Sequence, residues 1–228
     1  MPAKWIDQLV DRHKDETGFV IGNGWTVNYY NIPALKNEGV LIGCNLGFQK
    51  HPLDYIIWQD RNVTDECRRA PCVKLQMMRR NKTPIANGTD TYYWGFGNRN
   101  INGALLHNSS GGCALQVLHW MGCNPIILVG CDCMLVPQPG RNEFRSNVFL
   151  DKQALLARTD RGCKITVGKQ TIRTTKRLLE FAKEFEYWHE KLSQIVKIYK
   201  LGNFGTVDIP YIDFPEFWTD EHPGHRKT

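Results

Sequence analysis

The chain carries two hydrophobic rhythms. Short, largely apolar runs occur at Gly18 to Gly24, Gly39 to Asn45, Asp54 to Asp60, Val73 to Met77, Pro125 to Gly130 and Lys197 to Leu201. Runs this short, bounded by turn residues, predict strands of a buried parallel sheet. Thr91 to Phe96 is aromatic and reads as a strand or an ordered loop. Elsewhere apolar residues recur at helical spacing. Ala114, Leu115, Val117, Leu118 and Met121 form one such stripe, and Leu178, Ala182, Phe185, Leu192 and Ile195 form another within a long helix predicted over 171–196. Residues 1–16 predict a short amphipathic helix with Trp5, Ile6, Leu9 and Val10 on one side. Asp213 to Trp218 reads as a packed tail, and the residues from Asp220 onward as a frayed end.

Strands alternating with helices predict an α/β protein: a Rossmann-like three-layer fold with a mostly parallel sheet. Residues 135–170 break the pattern, with Pro137, Pro139, Gly140 and Gly162 set among charges. A connection this long inside a compact domain predicts a lid or binding loop. With no internal repeat or linker, residues 1–228 read as a single Rossmann-like nucleotide-binding domain carrying that lid.

The strands share a second regularity. Four of them end in polar punctuation, at Asn23, Asn45, Asp60 and Asp132. In a parallel sheet those ends lie along one rim, where α/β proteins bind ligands. Facing that rim is Asn108-Ser-Ser-Gly-Gly112, which opens the helix of the first stripe. Ser109 and Ser110 offer capping oxygens, and Gly111 and Gly112 leave amides exposed at a positive dipole end suited to phosphate. Ordinary caps and turns would leave the same residues at any one of these places. Their convergence on one rim is what predicts a ligand site.

Composition narrows the chemistry. A net charge of +6 suits an anionic substrate such as a nucleotide or an acidic sugar. Arg68, Arg69, Lys74, Arg79, Arg80 and Lys82 form one basic segment, but no RNA-binding signature accompanies it, so nucleic acid is not the expected partner. No run has the length of a membrane span and the first residues lack a signal-peptide core, which predicts a cytoplasmic protein. The eight cysteines then read as reduced thiols. Cys131-Asp-Cys133 and Cys67-x4-Cys72 lack the partners of a zinc site, and no metal ligands are predicted. Gly22-Asn-Gly24 follows a strand, but Val27 breaks the dinucleotide fingerprint and no acidic residue ends the second strand. No Walker lysine is present either.

Phe19-Val-Ile-Gly-Asn-Gly24, Gly43-Cys-Asn45, Ser109-Ser-Gly111 and Ile127-Leu-Val-Gly-Cys-Asp132 resemble, in order and spacing, one superfamily. It holds the bacterial sialyltransferases of glycosyltransferase family 42 and the MptE-like proteins, among them archaeal 6-hydroxymethylpterin diphosphokinases and many phage-encoded relatives. The resemblance covers roughly residues 18–134. It implies a nucleotide site in which Gly22, Asn23 and Gly24 approach phosphate and ribose, and Asn45 bonds the nucleotide or its cargo. Ser109, Ser110 and Gly111 would cradle phosphate, and Asp132 would sit on the ribose or a metal. Trp25-Thr26 stands where the family usually has Pro-Ser, with Thr26 able to supply the hydroxyl. The sialyltransferases' general-base histidine has no counterpart between 133 and 188.

The leading expectation is a nucleotide-dependent transferase, a sialyltransferase-like glycosyltransferase using a nucleotide-activated sugar, with CMP favoured. The base is sought among His189, Glu143 and Asp60, and Arg141, Arg145 and Arg161 in the lid would help neutralise phosphate. A second reading is pyrophosphoryl transfer from ATP, with Asp60 and Asp132 holding Mg²⁺. A third is a non-catalytic nucleotide-binding or structural protein. The partners implied are a small-molecule nucleotide and a hydroxyl acceptor, with a homo-oligomer left open.

Overall fold

The β-branched, fully buried runs assemble as strands of one sheet. The computed structural model describes residues 4–78, 90–95, 109–137, 144–145, 148, 162–167 and 170–224. In chain order the elements are β1 (Lys4–Trp5), β2 (Gly18–Ile21), α1 (Ile32–Leu35), β3 (Val40–Cys44), β4 (Tyr55–Trp58), α2 (Thr64–Arg68), β5 (Val73–Met78) and β6 (Thr91–Gly95). They continue as α3 (Ser110–Trp120), β7 (Ile126–Val129), β8 (Val136–Pro137), β9 (Phe144–Arg145), β10 (Cys163–Val167), β11 (Gln170–Thr174), α4 (Lys176–Leu192), β12 (Ile198–Leu201) and β13 (Tyr211–Ile212).

Nine strands form one sheet in the order β1-β6-β5-β4-β3-β2-β7-β12-β13. Every pairing in it is parallel. The chain lays down β2 to β6 outward in one direction, then returns through α3 to place β7 on the other side of β2. The direction of winding therefore reverses between β2 and β7, and at such a point the flanking connections diverge and leave a crevice at the strands' carboxyl ends.

Alternate side chains of each strand feed two cores. Val20, Ile42, Ile57 and Leu128 pack with α3 and α4 through Leu115, Leu118, Ala182 and Phe185. Phe19, Ile21, Leu41, Ile56 and Val129 pack on the opposite face with Ile32, Leu35, Cys67 and the aromatic tail. This is the three-layer α/β architecture that the sequence pattern predicts.

Three local expectations are corrected. The predicted opening helix does not form over the described residues 4–16: after β1 the chain makes one 3-10 turn over Ile6–Leu9, and Asp11 and Asp15 take left-handed backbone (φ 54° and 64°) that a helix does not accept. The N–H groups of Asp11, His13 and Asp15 instead bond the carbonyls of Trp120, Met121 and Gly122, completing the end of α3. Ile6 and Leu9 are buried as expected, whereas Val10 is half exposed.

The long helix begins at Lys176, five residues later than predicted. The stretch Thr171-Ile-Arg-Thr174 is β-branched and pairs with β10 as an antiparallel hairpin, so the region 135–170 carries regular structure of its own. Helix α4 ends at Leu192, so Ile195 leaves the core stripe and is 69% exposed. Thr175 caps α4 by accepting from the Leu178 N–H. Thr175→Ala is expected to cost about 1 kcal/mol of stability in a urea titration, the usual worth of such a cap.

The fraying expected from Asp220 onward is not found among the described residues, which run to Gly224. His222 is buried and stacks on Trp218 with ring centroids 4.0 Å apart, so residues 220–224 are not frayed.

Candidate functional site

The crevice is built first from glycines. Gly22 and Gly24 donate their N–H groups to the Val129 and Gly130 carbonyls at 2.7 and 2.8 Å. A Cβ on Gly22 would enter the Gly130 carbonyl oxygen, and one on Gly24 the Asp132 carboxylate. Both glycines thus serve a close approach of the first strand's turn to the end of β7.

Asp132 locks that approach. Its Oδ1 accepts from the Thr26 hydroxyl at 2.7 Å and its Oδ2 from the Thr26 N–H at 3.1 Å, while its carbonyl accepts from the Thr206 N–H at 2.9 Å. The residue is 4% exposed. Burial pushes its carboxyl above the ordinary carboxylate range, and the two Thr26 bonds pull the other way. Asp132 and Thr26, expected on ribose, metal or substrate, are therefore bonded to each other. The pair acts on the geometry of the Asn23 turn.

Asn23 stands between those glycines. Its Nδ2 donates to the Cys44 carbonyl at 3.0 Å, which fixes the amide plane. Its Oδ1 is buried with no hydrogen-bond partner. Its main-chain carbonyl accepts from the N–H of Val148, whose side chain is 7% exposed in the apolar cluster around Phe19 and Ile21. The predicted lid region therefore touches the Asn23 turn directly.

The neighbouring strand ends supply a hydrogen-bonded chain. Asn45 has left-handed backbone (φ 51°), a conformation asparagine tolerates better than most residues. Its Oδ1 accepts from Ser110 Oγ at 3.3 Å and its Nδ2 donates to Asp60 Oδ2 at 3.4 Å. Residues from the ends of β3 and β4 and the start of α3 are thus brought together. Gln59, just before Asp60, donates to Cys113 Sγ at 3.0 Å. Burial pushes the Cys44 thiol up to about 12, and Cys113 likewise well above its usual value.

The start of α3 holds a residue that motif reasoning missed. Ser109 caps the helix, accepting from the Gly112 N–H at 2.9 Å, and donates its own hydroxyl to Glu184 Oε2 at 2.7 Å. Glu184 is buried on α4. Its signal in the sequence was a carboxylate between Phe181 and Trp188, on the apolar side of the predicted helix. Ser110 and Gly111 are partly exposed, and the Ser110 hydroxyl is turned toward Asn45.

The two candidate bases among the described residues, Asp60 and His189, separate. Asp60 is exposed on the rim beside Asn45. His189 lies in the last turn of α4, just before the chain reaches Lys197, whose N–H bonds Asn124 at the amino end of β7. Parallel strands point their carboxyl ends the other way, so His189 is at the end of the sheet opposite the crevice. That removes the geometric basis for His189 as the base. Glu143 lies outside the described residues, as do Arg141 and Arg161. Among the described residues no group of three or more His, Cys, Asp or Glu side chains could hold a metal ion, and no helix is long and apolar enough to cross a membrane.

No protein-family model and no curated protein matches the sequence. The folded chain does have a counterpart among solved structures. The MAf glycosyltransferase from Magnetospirillum magneticum AMB-1 superimposes with a TM-score of 0.62 at 9% sequence identity. The chain shares the fold of a glycosyltransferase. The match covers 95% of this chain and 39% of the MAf protein, so this chain corresponds to well under half of that protein's length.

Proposed function

We propose that the protein is a glycosyltransferase acting on a nucleotide-activated sugar, bound across the crevice between β2 and β7. The observation that carries this reading is the polar chain Ser110–Asn45–Asp60 beside the buried, unpartnered Oδ1 of Asn23. A buried acceptor without a donor is costly, and a ligand N–H or O–H would satisfy it. The glycosyltransferase fold of the MAf protein supports the same class.

In this reading the acceptor hydroxyl attacks the anomeric carbon as its bond to the nucleotide phosphate breaks. Asp60, on the rim, takes the hydroxyl proton. The pyrophosphokinase alternative needs Asp60 and Asp132 to share Mg²⁺, and Thr26 engages both oxygens of Asp132. That observation favours sugar transfer. CMP-linked donors remain the first to test, on the resemblance to the family 42 sialyltransferases.

The test is calorimetric titration of CMP- and UDP-sugars into wild type, Asn45→Ala and Ser110→Ala. Each substitution is expected to weaken binding about tenfold, the worth of a hydrogen bond made in a partly dry site. Affinity unchanged in both variants would overturn the site.

A further inference from the structure

A second basic segment lies beyond the crevice residues. Arg161, Lys164, Lys169, Arg173, Lys176 and Arg177 occur with no Asp or Glu between Arg161 and Leu179. Strands β10 and β11 put part of that segment on a two-stranded ribbon, in which Lys164 stands opposite Arg173, Ile165 opposite Ile172 and Thr166 opposite Thr171. Side chains alternate across such a ribbon. Cys163, Ile165, Ile172 and Thr174 are buried or half-buried on one face, whereas Lys164, Thr166, Thr171 and Arg173 are exposed on the other. Like charges directly opposite each other destabilise an antiparallel pair, and an anion between them relieves that cost. Among the described residues no carboxylate forms an ion pair with Lys164. The foot of the ribbon is fixed at the end of β7, just past Asp132. There Thr174 Oγ1 donates to the Cys133 carbonyl and the Leu135 N–H to the Arg173 carbonyl, each at 2.7 Å. Lys176, exposed at the start of α4, continues the positive charge.

We infer that the exposed face of the β10–β11 ribbon is the docking surface for the acceptor of the transfer, and that this acceptor is an acidic sugar chain. The inference rests on the glycosyltransferase reading of the crevice and names the acceptor's chemistry. Charge complementarity sets the sign of the partner. The Lys164–Arg173 pair and the Thr166–Thr171 hydroxyl pair lie two residues apart, about 7 Å along the ribbon. An acidic sugar brings a carboxylate and hydroxyls on one ring, and so meets both pairs. A single-stranded nucleic acid calls for aromatic platforms, and neither β10 nor β11 carries an aromatic residue. A membrane surface calls for apolar side chains next to the cations, and on this ribbon they lie on the opposite face.

Lys164→Glu tests this, because a carboxylate there faces Arg173 across the ribbon and favours the hairpin. Lys176→Glu adds an acid to the first turn of α4, where the helix dipole favours it. Neither substitution is expected to lower Tm, and melting curves establish that each variant is folded. The probes are oligogalacturonate, neutral dextran, poly-L-glutamate and duplex DNA, titrated calorimetrically at low ionic strength. Oligogalacturonate is expected to bind wild type, about tenfold more weakly K164E, and more weakly still K164E/K176E, while dextran binds none of them. Equal oligogalacturonate affinity in wild type and the double variant overturns the inference, as does its failure to bind wild type. Dextran binding as tightly as oligogalacturonate overturns it too. So does poly-L-glutamate or DNA binding as tightly with the same loss in K164E, which would make the ribbon a protein or nucleic-acid surface. Binding of nucleotide-sugars to wild type is scored separately. Its absence sinks the glycosyltransferase reading of the crevice and leaves the ribbon comparison readable.

Discussion

Gly24→Ala is expected to destabilise the fold by about 3 kcal/mol, seen as a drop of about 6–12 °C in Tm for a domain of this size. The backbone at Gly24 is ordinary (φ −65°), so the cost is entirely one of space. A methyl group there enters the Asp132 carboxylate and comes within 2.6 Å of the Gly130 carbonyl oxygen. Neither neighbour can retreat: Gly130 O accepts the Gly24 N–H, and Asp132 is held by Thr26. Gly47→Ala is the matched comparison, because its new Cβ meets Asn23 Oδ1 at 3.5 Å and Leu53 Cδ1 at 3.6 Å, ordinary contacts. Its Tm is expected to stay close to wild type. Equal melting of the two variants would show that the turn does not depend on the close approach.

Asp132→Ala is expected to cost about 3 kcal/mol in urea unfolding, because it strands the buried N–H and hydroxyl of Thr26. Asp132→Asn should be milder. The Thr26 hydroxyl can turn to accept from the new amide N–H while the remaining oxygen still accepts the Thr26 N–H. The two variants also differ from wild type in pH dependence. Burial raises the folded carboxyl above its ordinary value of 3.8, so between those values the folded chain binds more protons than the unfolded one. Stability contributed by this group is therefore fully present below 3.8 and is lost as pH rises through the folded value. Difference profiles of wild type against Asp132→Asn should show that fall at pH values above 3.8. A flat difference would place the Asp132 carboxyl at its ordinary strength.

The layers and most of the parallel strands were legible because each buried strand is written as a short apolar run, whereas their order in the sheet was not. The rim was legible for the same reason: Asn23, Asn45, Asp60 and Asp132 are the polar residues that end such runs. What those residues do was not. Asp132 and Thr26 lie far apart in sequence, and no spacing rule shows that each satisfies the other. Gly22 and Gly24 look alike whether the neighbour they admit is a phosphate or a strand, and only the position of β7 decides it. Glu184 was visible as a charge on an apolar stripe, but its partner belongs to another helix. The opening segment misled because Trp5, Ile6, Leu9 and Val10 have helical spacing. The segment's hydrogen bonds go instead to the end of α3, a tertiary demand that outweighs local propensity.

The placement of β7 beside β2 also governs how the protein comes off the ribosome. Strands β2 to β6 are neighbours in both sequence and sheet and can pair as they emerge, but Gly18 must wait for Ile126. At ordinary elongation rates that interval is about 5–20 s. Throughout it an interior strand of the finished sheet, Gly18-Phe-Val-Ile21, is an open apolar edge on the nascent chain. The crevice between β2 and β7 forms only when that edge is closed. A chain stalled before α3 already carries Asn23, Asn45 and Asp60, but it lacks the β7 carbonyls that hold the Asn23 turn, and its β2 edge stays open to pairing with another chain.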